Sequence, residues 1–310
     1  MTTILDPDNP LVGFIGLGNM GGRMAARLVA GGIGVLGYDP KAGSPEGVQP
    51  ATSPEEVARA CRVILLSLPS SRVVEAVSRD PEGLLASVQP GTILVDLSTS
   101  EPASTSRLSE EFAAAGAYFV DAGISGGAAA AETGELTLMV GGPEETINDL
   151  APVFAPIATK VFHLGTVGAG HTAKLLNNFL NAIALSATAE VMVAAQKAHL
   201  DLRVLLDAIN ASSGANFATQ KRFPKIINGD YLKGGLTNAL MMKDVLAYVD
   251  LVTGLGVASP NAPAPMAAFG MALQLGYADS ISNTVVDAIG DLSGRVRVHD
   301  KHHDTGRSGK

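Results

Sequence analysis

A lysine and an asparagine, Lys174 and Asn178, stand four residues apart in GAGHTAKLLNNFLNAIAL, a segment otherwise almost wholly apolar. On a helix this spacing puts both side chains on one face, a turn apart. A buried ammonium is costly unless it is paired or has a chemical task. If desolvation or a nearby positive charge lowers its proton affinity, a lysine can take a proton from a hydroxyl and return it. An asparagine both donates and accepts hydrogen bonds without charge, which suits it to orienting that hydroxyl. The alternative is a lysine with its stem on the core and its head in water. Glu190, further along the same segment, reads as a buried, paired carboxylate.

A second constellation lies near the start. The apolar run LVGFI leads into Gly16-Leu17-Gly18-Asn19-Met20-Gly21, and a helical pattern follows at once. Gly16 permits a tight turn, Gly18 lets the backbone approach a pyrophosphate, and Gly21 allows close helix-strand packing. The helix N-terminus offers N–H groups and a positive dipole end to phosphates. Asp39 closes the next apolar run, 23 residues beyond Gly16. A carboxylate there can accept hydrogen bonds from both ribose hydroxyls of NAD and repels a 2′-phosphate. Lys41 softens that repulsion, so the expectation is NAD, with NADP possible. Asp39-Pro40 is also a turn signal, and both readings can hold together.

These residues need a scaffold. Leu11–Ile15, Val35–Tyr38, Val63–Leu68, Ile93–Leu97 and Tyr118–Val120 read as strands buried on both faces. Met20–Ala30, Pro54–Ala60, Arg72–Val77 and Ser104–Ala115 read as the helices between them. The alternation implies βαβ units and a parallel sheet, which Leu136–Val140 and Val161–Leu164 extend. From Thr172 to Ala198 the pattern is one long helix, apolar nearly all round, and only helices and loops follow. The expected architecture is α/β. A Rossmann-type doubly wound domain covers residues 1–166, an all-helical domain covers 167–297, and a long central helix joins them. Residues 298–310 read as a disordered polar tail; its His299, His302 and His303 are taken as solvated rather than metal-binding. Ligands in open α/β sheets bind outside the carboxyl ends of strands. That adds Leu68 and Pro69, and Ser98 and Thr99, as candidate cofactor contacts, the last two being equally good helix caps.

The chain has 310 residues, 46% hydrophobic and 17% charged, enough for two cores. A net charge of -8 without a long basic run argues against nucleic acid. Cys61 is the single cysteine, so no internal disulfide forms and a reducing, cytoplasmic setting is expected. The N-terminus lacks the pattern of a signal peptide, and apolar runs such as VILLSL are too short to span a membrane.

Taken together, the motifs resemble the β-hydroxyacid dehydrogenase family, which includes 3-hydroxyisobutyrate dehydrogenase and tartronate semialdehyde reductase. VGFIGLGNMGGRMAARL looks like its cofactor signature and FVDAGISGGAAAAETGELTLMVGG like its substrate-binding segment. GAGHTAKLLNN looks like its catalytic helix, and LMMKDVLA like its second lysine motif. The resemblance implies that Lys174 is the catalytic lysine and that Asn178 positions substrate. It implies that Ser125, Gly126 and Gly127 bind a substrate carboxylate, and that Lys243, followed by Asp244, closes over the nicotinamide. Ser212-Ser213-Gly214-Ala215-Asn216-Phe217 is similar to the family's substrate-side loop, which makes Asn216 a pocket candidate. One departure stands out: where the family often has DAPVSGG, this chain has Asp121-Ala122-Gly123-Ile124-Ser125-Gly126-Gly127, which implies a looser backbone. Lys221 and Arg222, one turn further on, could meet a second anionic group, though residues of this kind are more often surface charges. The implied activity is NAD(P)-dependent hydride transfer on a small carboxylate-bearing hydroxy acid or semialdehyde, in a homodimer or homotetramer. Two other readings stand beside it. One is an imine reductase on the same scaffold, against which Lys174 argues because those enzymes typically lack it. The other is a non-catalytic NAD-binding or sensing protein, against which the intact Lys174, Asn178 and Ser125 argue.

Overall fold

The computed structural model describes Leu5 and residues 11–232 and 234–299. The chain forms two compact units, Met1–Lys174 and Leu175–Lys310, dividing eight residues past the boundary expected from sequence (174 − 166).

The first unit is one eight-stranded sheet in the order β3-β2-β1-β4-β5-β6-β7-β8. The strands are β1 (Leu11–Ile15), β2 (Gly34–Tyr38), β3 (Val48–Pro50), β4 (Val63–Leu66), β5 (Ile93–Asp96), β6 (Tyr118–Ser125), β7 (Leu136–Gly141) and β8 (Ala158–His163). Its helices are α1 (Gly21–Ala30), α2 (Pro54–Ala60), α3 (Ser71–Arg79), α4 (Leu84–Ser87), α5 (Pro102–Ala114), α6 (Gly127–Thr133), α7 (Glu144–Asp149) and α8 (Ala151–Phe154). Alternate residues feed different cores. Val12, Phe14, Val63 and Leu65 enter one, while Ile15, Ile64, Leu66 and Leu94 enter the other. That explains the uninterrupted apolar runs, since a strand covered on both faces has no polar side. All pairings are parallel except β6–β7, which is antiparallel. The sheet is thus mixed where the sequence suggested only parallel strands. β6 is also longer than expected: Asp121 pairs with Asp96, and the strand then continues to Ser125 against β7.

α9 (Ala169–Lys197) begins in the first unit and continues through the second. By length and composition it could cross a membrane, a test that core helices also pass. In the second unit it supplies Ala182, Leu185, Ala189 and Met192 to the core. α10 (Leu202–Asn210), α11 (Phe223–Ile226), α12 (Asn238–Gly254), α13 (Pro263–Gln274) and α14 (Val285–Leu292) follow. Asp201 caps α10 and Thr237 caps α12 through side-chain oxygens.

Two expectations are corrected. Glu190 is exposed, because it falls on the face of α9 turned away from the core. The polar tail begins later than residue 298: Val298 joins the core, and buried His299 hydrogen-bonds the Tyr231 hydroxyl at 2.8 Å. His302 and His303 lie outside the described residues.

Candidate active site

The parallel strands bring their carboxyl ends to one edge of the sheet, and the candidate cofactor residues lie along it. Gly16 leaves β1 at a φ of 93°, its N–H donating to the Tyr38 carbonyl at 2.9 Å. A side chain there would strike the Ser67 carbonyl, so the turn requires glycine. Gly21 is packed against the Gly16 carbonyl, whereas a Cβ on Gly18 would meet no atom within 4 Å. Gly18 therefore opens onto space, at the start of a helix with no side-chain cap and no acidic residue in its first turn. Arg23 adds positive charge there, donating to the carbonyl and Oδ1 of Asn19 at 2.5 Å each. Backbone amides, a positive dipole end and a nearby guanidinium form a cradle that fits a dinucleotide pyrophosphate.

Asp39 sits at the end of β2. One oxygen accepts from the Leu17 N–H and the other from Lys41 and Ala42, each at 2.8 Å. Partial burial raises its pKa, but these three amides and the Lys41 charge outweigh that and hold it below the usual carboxylate range. It is thus both the turn residue and an anion beside the glycine loop. Leu68 and Pro69 follow β4, and Ser98 and Thr99 follow β5. Buried Ser98 is neither helix cap nor free hydroxyl: its Oγ accepts from the Leu68 N–H at 2.9 Å and so joins two strand ends. α5 starts later, with Glu101 at its N-cap.

The second half of β6 carries the segment from Asp121 to Ser125. Asp121, Gly123 and Ser125 share one face of the strand, and the first turns of α9 lie over that face. The buried Asp121 carboxylate accepts from the Gly168 N–H at 2.6 Å and the His171 N–H at 2.7 Å, capping α9 from a distant strand. Burial raises the pKa of Asp121; the His171 charge and these amides oppose it. His171 is fully buried: Nε2 donates to the Asp96 carbonyl at 3.1 Å, and Nδ1 shares a hydrogen bond with Thr105 Oγ1 at 2.7 Å. It ties α9 to β5 and α5. Two residues on, a Cβ at Gly123 would lie 2.5 Å from Cβ and 3.0 Å from Cγ of Lys174. Lys174 is buried, with its stem crossing β6 at this glycine. The segment is close-packed here, not looser as its departure from DAPVSGG suggested. Ser125 is the next residue on the same face, followed by the accessible Gly126 and Gly127 at the turn into α6. Lys174 and Ser125, 49 residues apart in sequence (174 − 125), are thus brought to one strand face.

In the second unit Asn178 is buried and donates from Nδ2 to Asp244 Oδ2 at 2.6 Å. Lys243 Nζ lies 2.9 Å from the other Asp244 oxygen, an ion contact off the hydrogen-bonding line. Asp244 therefore fixes both Asn178 and Lys243. No such role for Asp244 is legible in the sequence, where only its adjacency to Lys243 is visible. Asn216 departs from expectation. Its Oδ1 accepts from Ala218 and Thr219, and its Nδ2 donates to the Gly214 carbonyl and to Thr188 Oγ1 on α9, so the amide closes its loop and ties it to α9. Among the described residues no cluster of three or more metal-ligating side chains occurs.

The chain is similar to known proteins along most of its length. The family described as the NAD binding domain of 6-phosphogluconate dehydrogenase matches residues 11–165. The family described as NAD-binding of NADP-dependent 3-hydroxyisobutyrate dehydrogenase matches residues 168–289. The 2-(hydroxymethyl)glutarate dehydrogenase of Eubacterium barkeri is 34% identical, over 85% of this chain and 87% of its own. The mitochondrial 3-hydroxyisobutyrate dehydrogenase of Mus musculus is 38% identical, over 78% and 76%. The structure of Mycobacterium tuberculosis 3-hydroxyisobutyrate dehydrogenase with L-serine superposes with a TM-score of 0.82 at 30% identity, covering 91% of this chain and 99% of that one. The chain belongs to the β-hydroxyacid dehydrogenase family, NAD(P)-dependent oxidoreductases acting on the CH–OH group of hydroxy acids.

Proposed function

We propose that this enzyme interconverts a small β-hydroxy acid and its semialdehyde, with Lys174 as the acid/base. The observation that carries the reading is the seating of buried Lys174 on Gly123, on the strand face that also bears Ser125. The nicotinamide supplies the hydride acceptor or donor. Gly16, Leu17, Gly18, Asn19, Met20 and Gly21 hold its pyrophosphate, with Leu68, Pro69, Ser98 and Thr99 bordering the same edge. Asp39 receives the ribose hydroxyls and, staying ionised, favours NAD over NADP. The Ser125 hydroxyl and the backbone amides of Gly126 and Gly127 bind the substrate carboxylate. Lys174 Nζ takes the hydroxyl proton as the alcohol is oxidised and returns it in reduction. Asn178 orients that hydroxyl, and Asp244 holds both Asn178 and Lys243 in place. Asn216, whose amide is taken up by its loop and by Thr188 on α9, is left out of this set. Family resemblance and the named relatives support the substrate class.

The test is a panel of hydroxy acids offered with NAD and with NADP, read at the absorbance of the reduced nicotinamide. Turnover of β-hydroxy acids with a preference for NAD is expected; tight NAD binding without turnover of any of them would favour the non-catalytic reading. We further propose that the enzyme is cytoplasmic, on its single free cysteine, Cys61, and that it assembles as a homodimer or homotetramer. Leu176, Leu180 and Val191 on α9 are 44%, 66% and 46% exposed, an apolar stripe suited to a second copy. Light scattering that reports a strict monomer would contradict the assembly.

A further inference from the structure

Arg222 ends a π-helical turn, Ala218–Arg222, in the second unit. Its Nη1 donates to Asn283 Oδ1 at 2.7 Å and its Nη2 to Asn181 Oδ1 at 3.0 Å. Its guanidinium carbon lies 5.8 Å from the centre of the Phe217 ring. All three neighbours are neutral. The ion pairs of this unit are Lys243–Asp244, Arg297–Asp287 and Arg297–Asp291, so among the described residues no carboxylate pairs with Arg222. The side chain is half-buried, and burial pulls its pKa down to about 10. A cation removed from water and unpaired is costly to the fold. Two neutral amides orient it without neutralising it. They occupy one N–H on each Nη, leaving the rest of its planar fork for an acceptor.

The place of that fork is informative. Asn181 lies three residues after Asn178 on α9, which puts the two on neighbouring positions of one helix face, about 4.5 Å apart along the axis. A substrate whose hydroxyl is oriented by Asn178 can therefore extend an arm of two or three carbons towards Arg222. We propose that Arg222, held by Asn181 and Asn283, is the subsite for a second carboxylate, and that the preferred substrate is a dicarboxylic β-hydroxy acid. This rests on the hydroxy-acid reading of the site. A guanidinium receives a carboxylate through two parallel hydrogen bonds and discriminates against a neutral arm of the same length.

The experiment compares 2-(hydroxymethyl)glutarate with 2-(hydroxymethyl)pentanoate, whose arms match in length but differ in charge. The expected result is a preference of about tenfold or more in kcat/KM for the dicarboxylate, carried mainly by KM. Arg222→Gln should reduce that preference to near unity, and Arg222→Lys should restore part of it. An equal preference in wild type and Arg222→Gln, or a wild type that favours the neutral arm, overturns the proposal. If the Gln variant does not fold, the wild-type comparison decides alone. Calorimetry with glutarate against pentanoate, in the presence of NAD, separates the two levels of the argument. Charge-selective binding without turnover of any hydroxy acid would leave the subsite standing and remove the catalytic reading. Turnover without charge selectivity would do the reverse.

Discussion

Two helix N-termini in the first unit make a controlled contrast. α1 starts with no side-chain cap, no acid in its first turn, and an open Gly18 before it. α9 starts against the buried Asp121 carboxylate, which takes the amides of Gly168 and His171. The same dipole and the same unsatisfied N–H groups are present in both. One end is left open, where the pyrophosphate is proposed to bind; the other is filled by the protein's own anion. The lesson is that a helix end binds what the fold leaves out. Where it supplies the anion itself, the helix becomes a fixed mount, here for Lys174.

The contrast can be broken from either side. The largest effect is expected at the mounted residue: Lys174→Ala should lower kcat by about 10²–10⁴-fold, while NAD affinity by calorimetry stays near wild type because α1 is untouched. Next is the mount. Asp121→Ala leaves two buried amides without an acceptor, a loss of about 1–3 kcal/mol. It should appear as a lower Tm together with a lower kcat. A loss of NAD affinity without either change would show that the two helix ends are not separable. Gly123→Ala places a methyl against the Lys174 stem, and overpacking of this kind costs about 1–3 kcal/mol. Its kcat should fall with little change in NAD affinity; an unchanged kcat would mean that α9 is not positioned by this contact.

The smallest effect is one of pH. Asp39 has a depressed folded pKa, so its contribution to the loop is present above the unfolded value of about 3.9 and is lost as pH falls through the folded value. The NAD-over-NADP ratio should therefore stay flat from about pH 9 to about pH 7.5, well above both values and above the second ionisation of the 2′-phosphate at about 6. A ratio that changes across that range would place the discrimination on another group. Asp39→Asn should weaken it at every pH.

What could be read from the chain is what depends on neighbours in sequence. The glycine turn between β1 and α1 and the spacing of Lys174 and Asn178 are local patterns. So are the apolar runs of β1, β2, β4, β5 and β6. What escaped depends on distant partners. Asp121 finds its amides 47 and 50 residues away, and Ser98 meets Leu68 across 30. Gly123 looked like added freedom because glycine is permissive; the structure uses it for close approach. Glu190 looked buried because its neighbours in sequence are apolar, though its own angle on the helix faces outward. Asn216 looked like a pocket residue because it lies in a loop resembling a pocket, and its amide closes that loop.

The Asp121 anchor also bears on how the chain is made. Synthesis delivers β1 to β8 before it delivers Gly168 and His171, so the sheet's eighth strand exists before the carboxylate has either of its amides. A chain ending before Gly168 would hold a buried acid with no helix to receive it. The joint that mounts Lys174 is accordingly the last part of this unit that can close. A nascent chain acquires the geometry proposed for proton transfer only after everything beneath it is in place.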